Sequence, residues 1–204
     1  MRALMDVTLP GFRPVDDDTQ DTWTNDHGDV LGVQFFGLVP DLPAGLDDGP
    51  ALRAGLAHHM ARSGAGLIEA SVKPLGGLPA LRQIVKVPLP GRQHGQGFVG
   101  SFTVPRATCS TAVTFMSAER GTTGMREAMV MAKVGHEQYF RPHPYAPDVQ
   151  GGLPFHVADH QGYDAEFPDH PLSKVRRTLD VLAARVRVAP GFAALPPFEG
   201  PHPG

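Results

Sequence analysis

The chain has a single cysteine, Cys109, among 204 residues. One thiol closes no internal disulfide and supplies no cysteine-rich zinc site. Cys109 therefore reads as a small buried residue. No run of 18 apolar residues occurs, which predicts no transmembrane helix and no membrane partner. The opening MRALMDVTLPGF lacks an apolar signal core and a small-residue cleavage site, so a cytoplasmic location is expected. An excess of positive charge is also missing. Eighteen Lys and Arg face 21 Asp and Glu, a net charge of −3, which offers no basic field for nucleic acid. There is no G-x-S-x-G nucleophile elbow.

What is present suits one compact domain. Hydrophobic residues make up 41% of the chain, enough for a sizeable core. The 24 Gly and 21 Pro predict long ordered loops. Residues 15–29 hold six Asp and no Lys or Arg. Asp16-Asp17-Asp18 is followed by Thr and Gln, not by the alternate carboxylates, sixth-position Gly and closing Glu of a calcium loop. The stretch reads as a solvated acidic loop, with Trp23 capping the core.

Periodicity places the elements. Val30 to Phe36 reads as a strand ended by Pro40. Asp48-Gly49-Pro50 opens a helix with Leu52, Leu56 and Met60 on one face and Gly64 as its stop. Leu67–Val72, Leu81–Val87, Phe98–Val104 and Thr111–Ala118 are four short runs joined by turns, the pattern of an antiparallel meander. The second is apolar at both parities, so either face of the sheet could be the covered one. A helix from Gly124 to Val134, capped by Thr122 or Thr123, is stopped by Gly135. The last helix begins near Asp169-His170-Pro171, with Asp169 as cap. Leu172, Val175, Leu179, Leu182 and Val186 step by three and four along its apolar face. Lys174, Arg176, Arg177, Arg185 and Arg187 occupy mainly the other. The fold class is α+β: an antiparallel meander flanked by helices, with a long ordered loop before the C-terminal helix. Residues 1–188 form a single domain, and the Pro/Gly-rich tail, 189–204, is expected to lie extended.

Two stretches could carry chemistry. The turn Glu119-Arg120-Gly121-Thr122-Thr123-Gly124 joins the last meander strand to the next helix. Its N–H groups could hold an anion, although it lacks the Lys and the glycine spacing of a phosphate loop. Glu119 could pair with Arg120 or Arg126, and Glu127 follows on the helix. Residues 136–170 contain half of the ten histidines. Neutral imidazole beside carboxylate suits Zn, Mn or Fe(II). His156 and His160 are four apart, but the intervening Val-Ala-Asp is not the metalloprotease pattern, and Gly162 and nearby Pro residues oppose a helix. The ligand-binding candidates are Glu119, Arg120, Arg126, Glu127, His156, Asp159, His160, Tyr163, Asp164 and His170. No metal or cofactor is expected.

The order strand, helix, four-strand meander, helix, long loop, helix, with Leu9-Pro10-Gly11-Phe12 at its start, resembles the Mog1/PsbP-like fold over roughly residues 7–188. Its DcrB-like and effector-chaperone branches are included in the likeness. The run from Tyr163 to Leu172 also looks like a signature of uncharacterised bacterial proteins, with no role attached. The resemblance implies a binding module, adaptor or chaperone, and no catalytic residues carry over. The expected function is thus to hold a protein partner, through a polar sheet face (Glu69, Lys73, Arg82, Lys86, Thr103) or the long loop. The alternative is a small enzyme, a metal-assisted hydrolase or acid/base isomerase, with its site between the 136–170 loop and the 119–127 turn.

Overall fold

A computed structural model describes residues 5–7, 9–15 and 21–201. The Asp16-Asp17-Asp18 run lies outside them. The elements in chain order are β1 (Met5–Asp6), β2 (Arg13–Val15), β3 (Asp21–Thr24), β4 (Val30–Phe36), α1 (Gly49–Arg62), β5 (Gly66–Leu75), β6 (Leu78–Pro88), β7 (Gln96–Pro105), β8 (Ser110–Ala118), α2 (Met125–Val134), α3 (His136–Tyr139), α4 (Pro171–Arg185), β9 (Arg187–Val188) and α5 (Pro190–Ala193). The class is α+β, and β5 to β8 form the expected antiparallel meander.

The sheet is larger than the meander. Its order is β2-β3-β4-β8-β7-β6-β5, antiparallel throughout. Part of the expected acidic loop is therefore strand: Asp21–Thr24 pairs with Val30–Val33, and Trp23 packs against the core. Short strands with one polar face carry too little alternation to stand out from a loop. A turn closed by Leu9 O and Phe12 N–H brings Phe12 edge-on to Phe115, 6.1 Å away.

Helices pack on both faces of the sheet at β6, which explains why Leu81–Val87 is apolar at both parities. Ile84 joins Phe98, Phe102, Val113 and Phe115 under α4, whereas Leu81 and Val85 join Leu67 and Ala70 under α1. Helix α4 buries Leu172, Val175, Leu179 and Leu182, as its spacing requires. It lies directly on Gly100, where a Cβ would stand 2.5 Å from Val175 Cγ1 and 2.8 Å from Leu179 Cδ1. Gly100→Ala is therefore expected to destabilise the chain by about 1–3 kcal/mol through overpacking. Urea unfolding at equilibrium would measure it, and a neutral result would mean that α4 slides freely on β7.

Four local expectations are corrected. The cap residue of helix α2 is Gly124, in the left-handed region at φ 73°, and neither Thr122 nor Thr123 caps it. Helix α4 is capped by His170, whose Nδ1 accepts from the Leu172 N–H at 3.2 Å, and not by Asp169. Arg176 is buried among carboxylates instead of lying on a solvated face. The tail folds back instead of lying extended: Phe192 of α5 is buried, and Arg106 bridges to Pro197.

Candidate functional site

The 136–170 loop folds over the start of α2, and Arg126 is the fastener. Its buried guanidinium donates from Nε to Ala158 O (2.8 Å), from Nη1 to Asp164 Oδ1 (2.9 Å) and Ser173 Oγ (2.8 Å), and from Nη2 to His160 O (3.0 Å). Arg176 of α4 donates to the same Asp164 oxygen at 2.7 Å, to Glu69 at 2.5 Å and to Asp159 O at 2.5 Å. A bulge between Leu67 and Glu69 turns Glu69 toward α4, breaking the strict alternation expected of β5. Glu69 also accepts from Arg82 at 2.8 Å.

A second knot lies beneath the loop. Lys86 Nζ donates to Asp159 Oδ2 at 2.6 Å and stands 3.1 Å from His156 Nε2. The His156 ring stacks on Tyr139 at 5.0 Å. Burial pulls the Lys86 pKa below its usual value, against the opposing pull of Asp159. Burial likewise lowers His156 to about 4 despite Asp159. Its neutral ring accepts from the ammonium through Nε2. His156 and His160 share no site: the His160 ring is exposed and meets Phe155 edge-on at 5.3 Å. Tyr163 is half-buried beside the small Val130–Tyr139–Ala158 cluster. The polar sheet face expected from Glu69, Lys73, Arg82, Lys86 and Thr103 does not form. Glu69, Arg82 and Lys86 are tied under α4 and the loop, and Thr103 points to the opposite face.

Glu119, Glu127 and His170 meet at the end of β8. Glu119 pairs with neither Arg120 nor Arg126. Its Oε1 accepts from the Gly124 N–H at 2.7 Å and its Oε2 from the Gln96 N–H at 2.9 Å. The anion expected at this turn is thus the chain's own carboxylate. Burial would raise Glu119, but the His170 ring and these two N–H groups outweigh it and hold the carboxyl below its usual value. His170 Nε2 lies 3.7 Å from Glu119 Oε1 and 3.9 Å from Glu127 Oε1. Among the described residues, neither His170 Nε2 nor Glu127 Oε2 has a hydrogen-bond partner, though both are buried. Burial, with Glu119 and Asp159 adding, raises Glu127. Arg120 stays outside this group, exposed, with its Nη2 donating to Gly28 O at 3.2 Å.

The chain matches no protein-family model and no curated protein.

Glu119 forms part of the wall of two cavities, of about 440 and 500 Å³. His170 faces the first, with Lys174 and Asp29, and Glu127 faces the second, with Gln96 and His94. The residues that sequence reasoning missed as partners are Lys86, Glu69, Tyr139, Ser173 and Arg176. One signal was available for Lys86: it shares the parity of Ile84, so it is a charge aimed at the core.

A separate feature lies on the far face of the sheet. Helix α1 covers β5 and β6 there, and among the described residues no helix covers β7 and β8. Ser101, Thr103, Ala112 and Thr114 floor a trough of about 410 Å³, walled by Phe36 and residues 38–41. Leu38 beside it is 68% exposed. No helix among the described residues is long and apolar enough to cross a membrane.

Proposed function

We propose that the chain is a non-catalytic binding module that holds a protein partner in the uncovered half of its sheet. One observation carries this reading: a trough with a floor of small side chains and an apolar wall from Leu38, Val39 and Pro40. Small residues let another backbone come close, and Asp41 is the one charged residue lining the trough. A weakly polar, extended segment of a partner fits that lining. The Mog1/PsbP-like element order supports the reading by analogy, because those proteins are mostly binding modules and adaptors. Catalysis by the loop has less support. Arg126 and Lys86 direct their charges at Asp164, Asp159 and the backbone carbonyls of the loop.

The test is a photocrosslinker placed at Thr103 in the cell of origin. It should trap one partner, and Leu38→Asp or Thr114→Arg should weaken that adduct about tenfold, a cost of about 1.4 kcal/mol in binding. A probe at Arg177, on the exposed side of α4, should trap none. The same adduct from both positions, or none from Thr103, would sink the reading.

A further inference from the structure

We propose that Glu119, Glu127 and His170 form a binding site for a divalent first-row cation, Zn²⁺ or Mn²⁺, at the end of β8. This site is separate from the trough and independent of any partner held there. One ligand atom from each residue lies within 4.8 Å of the other two. His170 Nε2 is 3.7 Å from Glu119 Oε1 and 3.9 Å from Glu127 Oε1. An ion about 2.1 Å from each ligand reaches pairs up to about 4.2 Å apart, so slight closure of the carboxylates brings all three into reach. One imidazole with two carboxylates is a donor set for Zn or Mn.

Acidic residues near one another do not make a site by themselves. The second observation is the histidine. Its side chain is only 9% exposed, and Nε2 points into the cluster with no hydrogen-bond partner among the described residues. Glu127 Oε2 is equally orphaned. A buried polar atom left unpaired is costly, and a cation held between these two residues would satisfy both atoms. Two carboxylates, Glu119 and Glu127, thus share a single imidazole. Lys86 also acts on Glu127, but its ammonium is bonded to Asp159. The two cavities meeting at Glu119 give an entry path and room for water ligands.

The tautomer sets a condition. Without an ion, Nδ1 accepts from the Leu172 N–H, so the neutral ring carries its proton on Nε2. Loading moves that proton to Nδ1, frees the Nε2 lone pair for the metal and gives up one cap hydrogen bond. Three metal–ligand bonds replace that one bond.

The experiment uses the full chain, stripped with chelator, then titrated with Zn²⁺ by calorimetry and with Co²⁺ by absorption and proton NMR. One equivalent should bind, and the Co²⁺ form should show paramagnetically shifted imidazole protons. His170→Asn removes the ligand but keeps a residue that caps helices well, so α4 stays capped. Glu127→Gln keeps the side-chain shape. Each should weaken Zn²⁺ binding about tenfold or more, while His58→Asn, in the surface pair with Asp148, leaves it unchanged. Absence of stoichiometric binding overturns the proposal. So does unchanged affinity in both variants, binding that follows His58, or a Co²⁺ form without shifted imidazole protons; the last reads on the wild-type chain, whatever the variants' folding.

Discussion

Asp159→Ala is expected to lower the unfolding free energy by about 3–5 kcal/mol, because it strands a buried ammonium. Lys86 Nζ sits 2.6 Å from Asp159 Oδ2, and both side chains are 1% exposed. The same oxygen accepts from the His156 N–H at 2.9 Å, so its loss also releases the chain where the loop crosses β6. The prediction separates the pair from its geometry. Replacing both members by apolar residues, Lys86→Met with Asp159→Leu, removes the stranded charge and should recover most of the loss. Urea unfolding of the two single variants and the double variant measures this. A single-variant loss below about 1 kcal/mol would mean that water reaches Lys86. Hydrogen exchange should show the 136–170 segment opening first in Asp159→Ala, since it loses its buried tie to β6.

The second large effect is in pH. His156 is held at about 4 in the folded chain, against 6.5 for a free imidazole. Between those values the unfolded chain binds a proton that the folded chain refuses. Stability from this group is therefore fully present above about pH 6.5 and drains away as pH falls toward 4. A gap of that size at 1.36 kcal/mol per unit is worth about 3 kcal/mol. His143, lowered by burial with its Nε2 at 2.9 Å from Leu67 O, acts in the same direction. Glu119, lowered, adds a further loss below its usual carboxylate range, while Glu127, raised, opposes it. The His156 share is read by difference. His156→Gln keeps an acceptor for Lys86 and removes the titration, so its stability should fall less steeply than wild type between pH 6.5 and 4. Parallel curves would show that His156 does not drive the acid sensitivity.

Much of the fold was legible because it is local. Leu172, Val175, Leu179 and Leu182 repeat at helical spacing, and all four are buried in α4. Asp48 accepts from the Ala51 N–H at 3.1 Å, as its place before Pro50 implies. Gly76 and Gly77 both take positive φ in the tight turn between β5 and β6. The errors arose where local signals conflict. Thr122 and Thr123 are good capping residues, yet Gly124 alone fits the left-handed backbone that the Glu119 carboxylate closes. Asp169 is a better cap by type than His170, but the Nδ1 of His170 is the atom facing the Leu172 N–H.

The candidate site was legible only in part. Glu119, Glu127 and His170 were singled out by residue type, one by one. Their meeting depends on the loop's return path, which no spacing encodes. Lys86 was legible as a charge at a core parity, but its partner lies across that same loop. Alternation, helical spacing and turn residues are set by neighbours in the chain, so sequence alone determined the meander, the two long helices and the apolar faces they bury. Strand order, the Leu67–Glu69 bulge, the helix packed on each sheet face and the convergence at the end of β8 are contacts between distant segments. Only the tertiary structure decided those, because burial and charge pairing are settled by which surfaces meet.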